Sequence, residues 1–339
     1  EWDGQALPDE ATFESLVEDL RIGYAARTLP KVALRLNYEE SGFRSLLMRT
    51  GRKAKRIEAP YRSAVLEIDK RWNDLRYWRT IKGNDSRFTL HYLLQAVDLD
   101  LQWDGSIQRA PIDKRLYIDN LLRTLWIAFI VTLVCVLLGY PLAYLIVTSS
   151  PRTSSILILL VLLPFWTSLL VRTAAWVIVL QKAGIVNEAL LRLGVIDEPL
   201  TLIFNRTGVY IAMVHILLPF MILPLYSVMK GIPGDHIRAA SSLGAKPMAA
   251  FFGVYFPQTL PGLAAGCLLV FVIALGFYIT PMLIGGGSDQ MLAFLIAEFA
   301  TNTANWGLAG ALALVLLVCI AVLYPLYHRY AGAGGMKLT

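Results

Sequence analysis

The stretch TLWIAFIVTLVCVLLGYPLAYLIVT, Thr124 to Thr148, contains no charged side chain. A helix rises about 1.5 Å per residue, so about 20 consecutive apolar residues suffice to cross the hydrocarbon core of a bilayer. This stretch therefore predicts a membrane-spanning helix. Further apolar stretches of similar length follow it: Thr153 to Leu180, Thr207 to Met229, about Pro261 to Ile284, and about Asn305 to Tyr327. Together they predict five spans.

The composition is also typical of a membrane protein. Hydrophobic residues make up 56% of the 339 and charged residues only 17%, whereas about a quarter of the residues in an average soluble domain are charged. Most of the charged residues precede Asp119. We therefore predict an all-α polytopic membrane protein with a mainly helical loop domain at 1–118, a transmembrane domain at 119–330 and a short tail at 331–339.

The Lys and Arg residues of the short loops predict the orientation of the spans. One set of loops carries basic residues with Asp235 as its only acid, and the positive-inside rule places this set in the cytoplasm. Its members are Arg152, Lys230, Arg238, Lys246, Arg329 and Lys337. Residues 1–118 are then extracytoplasmic and the C-terminus is cytoplasmic. We attribute the formal net charge of +6 to this orientation, so the expected partner is the lipid bilayer and not nucleic acid.

The region before Asp119 shows helical periodicity. Asp9 or Thr12 can cap the segment FESLVEDLRIGYAA, in which apolar residues recur at helix spacing. Together with Trp72, Tyr77 and Trp78, this pattern predicts a small packed domain or a pair of amphipathic hairpins rather than a disordered tail.

A second feature is the segment KGIPGDHIRAASSLGAKPMAAFFGVYFPQTLPGL, Lys230 to Leu263, between the third and fourth predicted spans. Pro233 and Asp235 are typical of a helix start. Gly244 is the expected residue where the backbone turns left-handed or approaches a partner closely. The pattern therefore predicts a helix-turn-helix hairpin, 231–261, that projects into the cytoplasm.

The second arm of this hairpin is predicted to be a separate short helix. Ala249 to Phe256 would form it, and Pro257 would end it because proline has no backbone N–H to donate. Pro261 and Gly262 would then open the next span.

This hairpin resembles the EAA loop of ABC-importer permeases, whose pattern is Glu-Ala-Ala, a Gly three positions on and a later Pro-x-x-x-Pro-Gly. The matching residues are Ala239, Ala240, Leu243, Gly244, Ala245, Pro257, Pro261 and Gly262. Arg238 stands where the family has Glu, which affects a salt bridge to the ATPase and not the fold. The resemblance implies that the ATPase-coupling residues are Arg238, Ala239, Ala240, Leu243, Gly244 and Ala245.

The resemblance extends from Asp119 to about Tyr327, and in particular to the spermidine/putrescine-type permeases. The supporting stretches are LGYPLAYLI (Leu138 to Ile146), LPFWTSLLVRTAAW (Leu163 to Trp176), LLPFMILPLYSVM (Leu217 to Met229) and ALGFYITPMLIGG (Ala274 to Gly286). It implies a type I ABC-importer permease of the bacterial inner membrane. It also implies six spans, the first of which would precede this sequence.

The resemblance implies three kinds of protein partner: ABC ATPase subunits, a second permease subunit and a periplasmic solute-binding protein. The sequence contains no glycine-rich phosphate-binding loop, and the GGGS at Gly285 to Ser288 lacks the lysine that such a loop needs. ATP and Mg²⁺ are therefore expected on the partner ATPase. This chain is expected to be no enzyme, with no catalytic residue, no metal site and no cofactor of its own.

The prolines inside the apolar stretches predict bends that line a cavity, because freed backbone carbonyls need a neighbouring helix or water. These prolines are Pro164, Pro219, Pro224 and Pro281. Nearby candidates for a substrate pathway are Trp166, Arg172, Trp176, Phe277 and Tyr278. Lipid-facing or core packing is the alternative for the aromatics. Arg172 is either a structural anchor or a pathway residue, and His215 is expected to bond to a neighbouring backbone group.

The substrate implied by the resemblance is a polyamine. Phe277, however, occupies a position where polyamine permeases often have Asp. An opine, an amino acid derivative or an organophosphonate is therefore the alternative substrate.

Two other functional classes are a membrane-anchored sensor or scaffold and a secondary transporter. A proton- or sodium-driven carrier usually needs acids inside the membrane, and no predicted span has Asp or Glu at its middle. A sensor would not need five spans with repeated prolines. Cys135, Cys267 and Cys319 lie in apolar stretches without metal-site spacing, which indicates packing.

Overall fold

A computed structural model describes residues 2–84 and 89–331 of the chain. Most of the predicted tail, 331–339, lies outside the described residues. The described chain forms two compact units: residues up to Leu116 together with Thr303–Ala311, and the remainder.

The N-terminal unit is mainly helical, as its periodicity predicts. Asp9 caps the first helix by accepting a hydrogen bond from the Thr12 backbone N–H at 3.0 Å, which satisfies one of the orphan donors of the first turn. The elements are α1 (Glu10–Ala25), α2 (Leu29–Asn37), α3 (Phe43–Lys53), α4 (Tyr61–Ile68), α5 (Leu75–Gly83), α6 (His91–Gln95), β1 (Leu99–Leu101) and β2 (Ile107–Arg109), with 3-10 helices at Ala54–Arg56, Lys70–Asn73 and Ile112–Lys114. Strands β1 and β2 pair antiparallel, with Leu99 opposite Arg109.

Large aromatic residues form the core of the N-terminal unit. Trp72 is fully buried, and its indole N–H donates to Thr50 Oγ1 at 2.9 Å. Phe13 packs edge-on against Trp78, with ring centroids 4.7 Å apart. Because each buried aromatic ring removes a large apolar area from water, these contacts hold the short helices together.

A nearly buried carboxylate connects two elements of this unit. Asp69, only 7% exposed, accepts from Arg71 Nη2 at 2.8 Å and from Arg49 Nη1 at 3.3 Å. Arg71 Nη1 also donates to the Gly42 carbonyl oxygen at 3.0 Å. The hydrogen bond from the Arg71 side chain, against the opposing effect of burial, lowers the pKa of Asp69 below its ordinary value of 3.8.

We expect the Asp69→Asn substitution to destabilise the N-terminal unit by about 2 kcal/mol at neutral pH, since it removes charge-assisted hydrogen bonds to a nearly buried group. Because the pKa of Asp69 is lower in the folded than in the unfolded state, the ionised carboxylate stabilises the fold fully above the unfolded value of 3.8. The stability difference between wild type and variant should therefore shrink as the pH falls below 3.8. Limited proteolysis of the whole chain in detergent, with urea titration, measures the loss. The control is Asp104→Asn, because Asp104 is exposed. Equal protease resistance of the two variants would contradict the prediction.

The described chain from Tyr117 onwards is also helical. Its helices are α7 (Tyr117–Thr148), α8 (Pro151–Leu162), α9 (Leu169–Leu180), α10 (Ile185–Arg192), α11 (Arg206–Lys230), α12 (Gly234–Ser242), α13 (Pro247–Ala250), α14 (Phe256–Leu275), α15 (Ile279–Ile284), α16 (Leu292–Thr301) and α17 (Trp306–Ala331). A π-helical turn covers Phe251–Tyr255, and 3-10 helices cover Leu163–Trp166 and Gly287–Asp289. Among the described residues, five helical segments are long and apolar enough to cross a membrane, which confirms the predicted number.

The membrane unit is built around α11. Helices α7, α11 and α14 pack on one another. In α11, 61% of an apolar stretch of 18 residues is buried. The fully buried side chains of this core include Ile127, Met213, Leu217 and Met221. Pro219 and Pro224, which the sequence predicts as bends, lie inside the continuous helix α11.

The second predicted span, Thr153 to Leu180, is interrupted near Pro164, as its proline predicts, but its bounds are wrong. The chain breaks after the 3-10 helix Leu163–Trp166, and the spanning segment is Leu169–Arg192, made of α9 and α10. Pro164 disfavours a continuous helix, and Ser168 begins a new one by accepting from the Val171 N–H at 3.2 Å. Side-chain hydrogen bonds at the break satisfy backbone groups that lipid could not.

The fourth predicted span, about Pro261 to Ile284, is displaced in the sequence. The apolar helical segment runs from Pro247 to Leu275, and the residues after Gly276 form the separate helix α15. Pro257 does not end a helix as predicted, because the π-helical turn before it shifts the bonding pattern: the Phe256 N–H bonds to the Phe251 carbonyl oxygen. The second arm of the hairpin therefore continues into α14 without a break.

Candidate functional site

The hairpin predicted at 231–261 is present, and its first arm is α12. This arm ends in a Schellman motif: the Ala245 N–H bonds to the Ala240 carbonyl oxygen at 3.0 Å, and the Gly244 N–H to that of Ser241 at 3.0 Å. Gly244 has φ +89°, the left-handed conformation that glycine adopts without steric cost. The sequence therefore predicted the position of this turn correctly.

The tip of the hairpin exposes apolar side chains. Leu243 is 89% exposed, Met248 71% and Phe252 58%. Ala239 is exposed, and Ala240 and Ala245 are partly buried. Arg238 forms an exposed ion pair with Asp235, three residues earlier on the same helix. A protruding apolar tip of this kind is typical of a protein-binding surface.

The base of the hairpin is fastened to the membrane unit. His236 Nδ1 lies 2.8 Å from Gln258 Oε1 on α14. Ile232 and Ile237 pack partly buried against the core. The hairpin is thus held at its base, whereas Leu243 at its tip is almost fully exposed.

The predicted pathway residues of the second segment lie at the break and on α9. Trp166 is 76% exposed at the end of its 3-10 helix. Arg172 Nη2 donates to the Thr167 carbonyl oxygen at 2.9 Å, whereas its buried Nε has no hydrogen-bond partner among the described residues. The Arg172 side chain therefore bonds back to the break between the two helices, and its Nε–H group has no hydrogen-bond acceptor among the described residues.

Trp176 is connected to α11. Its indole N–H donates to His215 Nδ1 at 3.1 Å, with the rings edge-on at 5.3 Å. Since an indole only donates, His215 carries its proton on Nε2 when neutral. The prediction that His215 bonds to a backbone group is therefore wrong, because its Nδ1 accepts from the Trp176 side chain of α9.

Phe277 and Tyr278 lie between α14 and α15. Phe277 packs partly buried against the core, and Tyr278 is 37% exposed just before α15.

A buried pair of hydroxyls, Thr173 Oγ1 and Thr280 Oγ1 at 3.1 Å, joins α9 to α15. The sequence did not single out these threonines, although hydroxyls inside apolar segments commonly bond between membrane helices.

A resident metal has no evident site in the described part of the chain, where no three His, Cys, Asp or Glu side chains are grouped to hold one. All three cysteines are free, and Cys135 is buried.

The membrane unit matches a family of transport proteins. Residues 114–331 match the family described as binding-protein-dependent transport system inner membrane component. The spermidine/putrescine transport system permease protein PotB of Salmonella typhimurium (strain SL1344) is 37% identical over 214 residues, which cover 63% of this chain and 75% of that protein.

Two solved structures share the fold. One belongs to the methionine ABC transporter MetNI in inward-facing conformations, with TM-score 0.50 and 16% identity over 65% of this chain and 96% of the other. The second is a bacterial alginate ABC transporter in complex with an alginate pentasaccharide-bound periplasmic protein, with TM-score 0.50 and 17% identity over 63% and 78%. This chain therefore belongs to the family of binding-protein-dependent transport system inner membrane components, and it is the multi-pass permease subunit of an ABC importer.

Proposed function

We propose that this permease forms the path of a polyamine, spermidine or putrescine, across the inner membrane. The similarity to a spermidine/putrescine permease supports this substrate. The hairpin would dock on a separate ATPase subunit that binds ATP and Mg²⁺, so this chain would need no cofactor. The exposed apolar tip beside the left-handed Gly244 carries the proposal, because Leu243, 89% exposed, presents an apolar side chain that a protein partner could bury.

The coupling would be mechanical. The ATPases approach each other when ATP binds, and a hairpin held in their groove would move with them. Since α13, the π-helical turn and α14 form one segment from Pro247 to Leu275, that movement would tilt a span directly. The cavity would then open to the other side of the membrane.

The other proposed partners are a second permease subunit and a periplasmic solute-binding protein. The family description names binding-protein dependence, and the similar alginate transporter was solved with a periplasmic protein. By the positive-inside rule, the basic loops support a cytoplasmic hairpin and C-terminus and an extracytoplasmic region 1–118. We infer that this region contacts the binding protein. Deletion of residues 1–118 should then weaken the ATPase stimulation that the binding protein causes.

A second substrate class is favoured by one observation. The charged side chain among the candidate pathway residues is Arg172, whose Nε has no described partner, and Phe277 supplies no carboxylate. A guanidinium suits a carboxylate or phosphonate better than an amine. An opine, an amino acid derivative or an organophosphonate is therefore the alternative.

Two measurements test these proposals. The tagged chain is purified from its own host in mild detergent, and mass spectrometry identifies the proteins that copurify with it. An ATPase with a phosphate loop and a second permease, in near-equal amounts, is the expected result; a chain that runs alone would contradict the coupling proposal. Uptake of radiolabelled putrescine and spermidine is then compared with uptake of an opine and an organophosphonate. No accumulation of either polyamine would exclude the first substrate.

A further inference from the structure

Five aromatic side chains, named here the aromatic cluster, lie where the hairpin meets α7: Tyr140, Tyr144, Phe251, Tyr255 and Phe256. Tyr144 stands edge-on to Phe251 at 5.7 Å and to Tyr255 at 5.6 Å. Tyr140 lies 5.7 Å from Phe256 and 6.4 Å from Phe251. The last turns of α7 are thus in ring contact with the second arm of the hairpin.

A directed hydrogen bond reinforces the same contact. Tyr140 Oη lies 3.1 Å from Thr259 Oγ1, and Thr259 Oγ1 donates to the Phe256 carbonyl oxygen at 2.7 Å. Because the threonine proton is used in that bond, Tyr140 is the donor. Thr259 is fully buried, so the bond fixes the rotation of α7 relative to α14.

The cluster surrounds an unusual piece of backbone. Phe251–Tyr255 form a π-helical turn, whose i to i+5 bonds interrupt the α-helical pattern between the tip and α14. A π-helical turn inside a helix is a place where the helix can bend. Without side-chain support, a displaced tip could pivot there and leave the spans where they are.

The cluster borders the exposed tip through Phe252, whose ring lies 5.1 Å from that of Phe251 and 6.1 Å from that of Phe256, but most of its side chains are less exposed than those of the tip. Tyr255 is 5% exposed, and Phe251 is partly buried against the core. Tyr140 and Tyr144 are on α7, outside the hairpin. Their contribution is therefore a matter of position and not of contact with the ATPase.

We propose that Tyr140 and Tyr144 are positioning residues that brace the π-helical turn, so that movement of the hairpin is passed to α7 instead of being lost in a pivot. This inference rests on the proposed docking of the hairpin to an ATPase. The braced turn makes α7, α14 and the hairpin move as one body.

The test uses the complete transporter in nanodiscs, with uptake, basal ATPase activity and binding-protein-stimulated ATPase activity measured for each variant. We expect Tyr144→Leu to lower uptake and stimulation about tenfold, with basal ATPase activity and subunit stoichiometry unchanged. Tyr144→Phe keeps the ring and should restore both. Tyr140→Phe removes only the hydrogen bond to Thr259 and should give a smaller loss. Phe129→Leu is the control, because Phe129 is on the same helix and 52% exposed.

Three outcomes would overturn the inference. Uptake by Tyr144→Leu at the wild-type level would show that the turn needs no brace. A parallel fall of basal ATPase activity and stoichiometry would show that the cluster serves assembly. An equal loss in Phe129→Leu would show that any apolar contact of α7 matters equally. Failure of the wild-type complex to couple ATP to uptake would instead contradict the proposed function itself, and the two failures are therefore distinguishable.

Discussion

We expect the Gly244→Val variant to lose at least about a hundredfold of its uptake while it still inserts into the membrane. Gly244 has φ +89°, which a β-branched residue adopts only at a cost of about 1–3 kcal/mol. The turn would rearrange, and Leu243 and Ala245 on either side would be displaced from the proposed ATPase groove. Sequence alone suggests a clash within the turn, but a Cβ atom at Gly244 meets nothing within 4 Å. The expected loss therefore comes from backbone strain and from the groove.

The matched control for this variant is Gly194→Val. Gly194 also has a positive φ, +65°, and open space around it, but it lies in the loop between α10 and α11, away from the hairpin. Uptake and copurification of the ATPase are measured for both variants. If Gly194→Val lost as much uptake as Gly244→Val, strain in general would explain the effect and the docking role of the hairpin would be refuted.

The second large effect is expected at Gly266, where α14 meets α11. A Cβ atom placed on Gly266 would lie 2.8 Å from Met221 Sδ and 3.1 Å from the Met221 carbonyl oxygen. Met221 is fully buried, and a Cβ atom added to Gly139 of α7 would also lie 2.8 Å from Met221 Cγ. Gly266→Val should therefore push the helices apart and destabilise the membrane unit by about 3 kcal/mol.

Thermal unfolding in detergent measures this loss. Gly310→Val is the control, since Gly310 is exposed on α17 with nothing within 4 Å of its added Cβ. Adding Met221→Ala to Gly266→Val should recover part of the stability, because it removes the Sδ contact and leaves the carbonyl contact. A Gly266→Val protein as stable as the Gly310→Val protein would rule out close helix approach at this position.

The hairpin shows how much of a site a sequence can predict. Gly244 and its neighbours were located correctly, since a left-handed turn after a short helix leaves a local signature. The aromatic cluster was not predicted. Tyr140 and Tyr144 are far from Phe251 in the sequence, and aromatic residues in an apolar stretch look the same whether they face lipid or another helix.

The sequence by itself determined that this is a helical membrane protein with several spans. In lipid every backbone polar group needs an internal partner, so uncharged stretches of about 20 residues form helices, and counting them predicts the five that the described residues contain. It also determined the turn at Gly244 and the helical character of the N-terminal unit, because caps and apolar spacing are local.

The tertiary structure alone decided where those helices break and what their polar groups meet. Pro164 ends a helix whereas Pro219 lies inside one, although both interrupt apolar stretches. The same applies to the Trp176 bond to His215 and to Gly266 against Met221. The physical reason is that a freed carbonyl or an imidazole needs a hydrogen-bond partner, and a glycine in a helix contact needs a close neighbour. Packing brings these partners from distant parts of the sequence.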